Sequence, residues 1–69
     1  MNKDLVYTKF WDACIHDDVI SLLDVIEHVQ EIDKKNHLGW SGIIMAAFNH
    51  SFSVIPILLK YKSNVNDTN

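Results

Sequence analysis

The second half of this chain repeats the residue classes of the first at a constant spacing, and no other feature restricts the fold as much. A shift of 33 positions carries Ala13-Cys14 onto Ala46-Ala47 and Phe10 onto Ile43. The same shift takes Val19, Leu22 and Ile26 to Phe52, Ile55 and Leu59, and Val25 to Leu58. Ile32 goes to Val65, Asp33 to Asn66 and Thr8 to Ser41, with no gap anywhere. A chain built this way folds as two copies of one supersecondary unit, stacked so that neighbours bury what one unit leaves open.

Each unit reads as helix, tight turn, helix, long turn. Val19, Leu22, Leu23 and Ile26 fall at i, i+3, i+4 and i+7, the apolar stripe of a half-buried helix. Phe52, Ile55, Pro56 and Leu59 repeat that spacing, with proline as the exception. The preceding helix in each unit is short, with an apolar face on Phe10, Ala13 and Cys14 or on Ile43, Ala46 and Ala47. Thr8 and Ser41 are the expected N-caps of those helices, because a hydroxyl there can accept a free backbone N–H. The polar segments 29–40 and 62–69 are expected to be turns. The stretch "GWSGIIMAAFNHS" therefore poses a packing question: its alanine pair buries little surface. The expectation is that small side chains let a neighbouring helix approach closely.

At these positions the chain resembles the ankyrin repeat family. The residues that carry the likeness are Asn36, Gly39, Ser41, Ile43, Ala46-Ala47, Leu58-Leu59 and Asn64-Val65-Asn66, in "NHLGWSGIIMAAFNHSFSVIPILLKYKSNVN". It covers essentially the whole chain, as a diverged, cap-like unit over 1–35 and a closer match over 36–69. It implies an all-α fold of ankyrin-type helix-turn-helix repeats, stacked as a short solenoid in a single domain. The departures also carry expectations. Gly42 stands where the family prefers proline, and Ile44 where it prefers histidine. Val29 and Lys62 occupy a position usually held by glycine with φ > 0, which a β-branched residue avoids, so the turn at Val29 is expected to be rebuilt. Asp17 and His50 replace the glycine of the inter-helix turn, and both tolerate the left-handed region. With Ser53 as N-cap, Pro56 would fall in the first turn of its helix, where a missing N–H costs almost nothing.

Charge is unevenly placed. Residues 1–35 hold eight acids and four lysines, whereas 36–69 hold Lys60, Lys62 and Asp67. Asp12 and Asp24 stand where the second unit has Met45 and Ile57, so the first unit has the polar outer face of a terminal cap. The second unit lacks one. It is expected either to be the front of a longer array or to bury the face around Met45 and Ile57 against another copy, since a core of 69 residues is marginal alone.

Several function classes recede on composition. The net charge of −3 disfavours nucleic acid, which needs a basic face. The absence of an 18-residue apolar run, or of an apolar segment behind the N-terminal lysine, points to an intracellular protein with no membrane span. A single cysteine permits no internal disulfide and no Cys-rich zinc site. His16, Asp17, Asp18 and His28 are metal-ligand types, but adjacent aspartates at a helix start are ordinary capping chemistry. Cys14 shifts onto Ala47 and so reads as a small core residue rather than a nucleophile. No catalytic residue, cofactor or metal is expected. What the resemblance implies instead is a binding module for another protein, using turn tips and the exposed end of the first helix. The matching positions are His37, Leu38, Trp40, Phe48 and Asn49, with Asp4, Leu5, Tyr7, Ile15 and His16 in the first unit. Aromatic residues gathered on one surface suit a binding hot spot; packing of Trp40 and Phe48 onto the neighbouring repeat or onto each other is the structural alternative. A second functional expectation is a small self-associating protein, such as an antitoxin-like or immunity-like dimer.

Overall fold

The computed structural model describes the backbone of residues 3–66 and the side chains of residues 3–62. The described residues are all helical in class, with no strand: α1 (Lys3–His16), α2 (Val19–Ile26), α3 (Gly42–Phe48) and α4 (Ile55–Asn66). Asn64-Val65-Asn66 is therefore helical, not a turn, and Lys62 lies within α4 rather than at its end. Lysine propagates a helix where glycine would stop one. Residues 67–69 lie outside the described part.

The turn inside each helix pair is built the same way. Asp17 and His50, 33 positions apart, have φ of 55° and 59°, and no other non-glycine residue among those described is left-handed. Beyond them, the N–H of Asp18 reaches back to the carbonyl of Ala13 (3.0 Å), and that of Ser51 to Ala46 (2.8 Å). This is the Schellman closure of a helix C-terminus, which a left-handed residue makes possible. The exit after α2 differs, as Val29 would require. His28 and Val29 donate to Val25 and Ile26 in short i→i−3 bonds, without a left-handed residue.

Helix starts follow the expectation in part. Ser41 caps α3, its hydroxyl accepting from the N–H of Ile44 (3.4 Å). Asp18 caps α2, accepting from the N–H of Ser21 (3.2 Å) and from its hydroxyl (2.8 Å). Those bonds, the backbone one first, hold the Asp18 carboxyl below its ordinary range, and the charge of His16 adds to the effect. Thr8 is not a cap. It lies inside α1 and donates to the carbonyl of Asp4 (2.9 Å), the back-bond a mid-helix threonine makes. The reason is upstream. Where the second unit has Gly39 at φ 83°, the first has Val6, which cannot break the helix in that way. Ser53 is not a cap either. Phe52–Val54 forms a turn held by Asp17, whose carboxylate accepts from the N–H groups of Ser53 (3.0 Å) and Val54 (3.2 Å). Pro56 is then the second residue of α4, within the first turn, where its missing N–H has no partner to lose.

α1 is the organising element: α2 and α3 both pack on it, and α4 packs on α3. The core joins Tyr7, Phe10, Ala13 and Cys14 of α1 to Leu22, Val25 and Ile26 of α2, and to Ala46, Val54 and Leu58. The closest approach is at Gly42, not at the alanine pair. A Cβ there would lie 2.9 Å from the ring of the fully buried Phe10 and 3.1 Å from the Cys14 sulfur. Ala46 is buried, but Ala47 faces outward. In α4 the expected stripe is also displaced. Val54 and Leu58 enter the core, while Phe52, Pro56 and Leu59 are exposed, because the helix begins three residues later than its counterpart α2. Between the pairs, the buried hydroxyl of Ser51 donates to the carbonyl of Ile15 (3.0 Å), fastening the second turn to the end of α1.

Candidate surface for protein binding

α3 has the sequence GIIMAAF, with no polar side chain in it. A helix that is apolar all round requires cover on every side. One side has it: Gly42, Met45 and Ala46 are buried. The opposite side carries Ile44, Ala47 and Phe48, at i, i+3 and i+4, and all three are exposed. Ile44 is 50% exposed and Phe48 69%.

The turn before α3 extends this surface. Asn36 organises it: its side-chain oxygen accepts from the N–H groups of Leu38 (2.9 Å) and Trp40 (3.1 Å). Its own backbone closes the loop, donating to Trp40 O and accepting from Gly39 N, both at 2.9 Å. This rigid tip presents Leu38 outward and sets the half-buried Trp40 against Phe48, edge to face, with ring centroids 5.0 Å apart. Such a pair is held together yet still offers apolar surface. His37 is exposed at the same tip. Asn49 is exposed too, but its amide donates to the carbonyl of Met45 (2.8 Å) and so closes the helix end. Of the expected residues of the second unit, Trp40 and Phe48 are in contact, and His37, Leu38 and Asn49 are exposed. Ile44 and Ala47 share the outer face of α3 with Phe48 and were not among them; the wholly apolar composition of α3 is the signal that marks them.

The first unit does not supply an equivalent surface. Tyr7 was expected at an exposed turn tip, but it is buried, because α1 runs straight through that position and turns it toward Phe10 and Cys14. Its hydroxyl accepts from the N–H of Glu31 (3.1 Å), and the Lys34 ammonium lies 5.2 Å from its ring centre. Ile15 is half-buried. His16 is exposed and leans on Asp12, with its Nδ1 3.0 Å from the carbonyl oxygen. Asp4 and Leu5 lie on the outer part of α1. The face expected to stay open around Met45 is also corrected: Met45 is buried, its sulfur meeting the Asn36 amide at 3.5 Å, and Ile57 is half-buried.

Other chemistry finds little purchase. Among the described residues, no group of three or more His, Cys, Asp or Glu side chains is placed to hold a metal ion. Asp17 and Asp18 are engaged at helix starts. Cys14 is buried, and burial pushes its thiol up to about 12 from an ordinary 9.0, far from a reactive thiolate. A shallow polar depression lined by Lys9, Asp12, His16, Asp18 and Asp24 faces solvent on the first unit. No described helix is long and apolar enough to cross a membrane. No family model, curated protein or solved structure matches this chain.

Proposed function

We propose that this chain is a protein–protein interaction module of ankyrin type, made of two stacked repeats and binding another protein through the tip 36–40 and the outer face of α3. The single observation that carries the binding reading is the apolar set Leu38, Trp40, Ile44, Ala47 and Phe48, exposed except for the half-buried Trp40, which packs on Phe48. It is held rigidly by the Asn36 turn and the Trp40–Phe48 pair. Rigid aromatic and aliphatic anchors at the centre of a patch are what binding hot spots are made of. The repeat reading is supported by the two left-handed residues 33 positions apart, each followed by the same reach-back bond to a buried alanine. On this reading the chain performs no catalysis, needs no cofactor and works inside the cell, where its lone thiol stays reduced.

The test uses the purified chain as bait, with Leu38→Ala/Phe48→Ala as the comparison. Both side chains are about two-thirds exposed, so the melting temperature should change little. The expected result is a bound partner that the double variant loses. A partner held equally well by the variant would move the binding surface elsewhere.

A further inference from the structure

The outer face of α3 has a counterpart in the chain that is already covered. Shifted back by 33 positions, Ile44, Ala47 and Phe48 become Trp11, Cys14 and Ile15 of α1. Cys14 is fully buried, with its sulfur against the start of α3, and Trp11 and Ile15 are half-buried. The stripe on α3 therefore stands open at the position where, on α1, Cys14 is closed by the start of α3.

We propose that a second copy of this chain covers it, the α3 faces of two copies meeting about a two-fold axis. The proposal rests on the binding reading above and names the partner. A copy stacked head to tail does not fit. It would bring the outer side of α1, with Thr8, Lys9 and Asp12 exposed, onto an uncharged apolar stripe. Moreover, Lys9 holds the position at which Gly42 permits the close approach to Phe10. The same apolar stripe on a second copy matches it in chemistry, and an isologous contact is self-complementary by symmetry. Charge favours this arrangement as well. Residues 1–35 carry eight acids against four lysines, while 36–69 carry two lysines against one acid. Pairing through α3 joins the weakly charged halves and keeps the acidic halves apart. Homodimer interfaces are also more apolar than transient ones, and the stripe has no polar side chain to bury.

The test is molar mass by light scattering on the full chain over a dilution series, with Phe48→Asp and Ala47→Cys variants. A dimer is expected, weakened at least 100-fold by Phe48→Asp with helix content retained in circular dichroism. Ala47→Cys should form a disulfide-linked dimer under mild oxidation while the native chain, its one thiol buried, does not. A chain that is monomeric up to millimolar concentration overturns the proposal, as does a dimer insensitive to Phe48→Asp. Should the monomer still bind another protein that Leu38→Ala/Phe48→Ala releases, the binding reading survives and only the second copy falls. A monomer whose partner ignores that double variant overturns both.

Discussion

Asp17 and His50 adopt one backbone conformation but do different work. Both sit in the left-handed region, which costs an ordinary L-residue about 1–2 kcal/mol. The His50 ring only leans on Phe52, with centroids 5.7 Å apart, whereas the Asp17 carboxylate holds two N–H groups ahead of α4. Glycine removes the backbone penalty at either site. His50→Gly is therefore expected to raise stability by about 1 kcal/mol, measured by urea unfolding. Asp17→Gly loses its two bonds across the units and is expected to fall below the native chain. Equal gains at both positions would mean that the Asp17 contacts add nothing.

At the scale of elements, the junction of α1 and α3 is set by one missing methyl group. Alanine at position 42 would favour the helix by up to about 1 kcal/mol. Its Cβ would nonetheless stand 2.9 Å from the Phe10 ring, which is fully buried and has nowhere to retreat. Overpacking of this kind costs about 1–3 kcal/mol. Gly42→Ala is thus expected to be destabilising on balance, with its urea midpoint lowered and its m-value unchanged. A midpoint at or above the native value would show that Phe10 can shift. The start of α4 is a second product of contacts between elements. The Asp17 carboxylate fixes Ser53 and Val54 as turn, so that Val54 and Leu58 enter the core, Ile55 is half-buried against it and Leu59 is exposed. Periodicity within α4 contains the right apolar residues but no information on which side faces α3.

For the whole molecule, Cys14 reports whether the two helix pairs are together, since its sulfur is covered where α3 lies on α1. A thiol reagent at neutral pH should modify it only as fast as the pairs separate, and denaturant should abolish the protection. Its pH dependence follows from the direction of its shift. The folded thiol ionises near 12 and the unfolded one near 9.0, so the unfolded chain loses its proton first as pH rises. Stability is then complete below about pH 9 and declines toward pH 12. Cys14→Ala should remove that part of the alkaline loss, seen in melting temperature against pH. Rapid labelling of the native chain would mean that α3 leaves α1 readily.

What the sequence determined by itself is what short-range chemistry controls. The helical class, the left-handed turns at Asp17 and His50, the Ser41 cap and the rebuilt exit at Val29 all depend on a few adjacent residues. Each could be read from residue type and spacing. The exposed tip with Leu38, and the pairing of Trp40 with Phe48, were legible to the same extent, being close along the chain. Tertiary structure alone decided the rest. Tyr7 entered the core because α1 continued through a position without glycine and found Glu31 and Lys34 across the fold. Met45 was covered, Ala47 left open, and the close contact given to Gly42, because burial depends on which neighbour arrives and from which side. A pattern of residue classes fixes what must be covered; the packing of distant segments fixes what covers it.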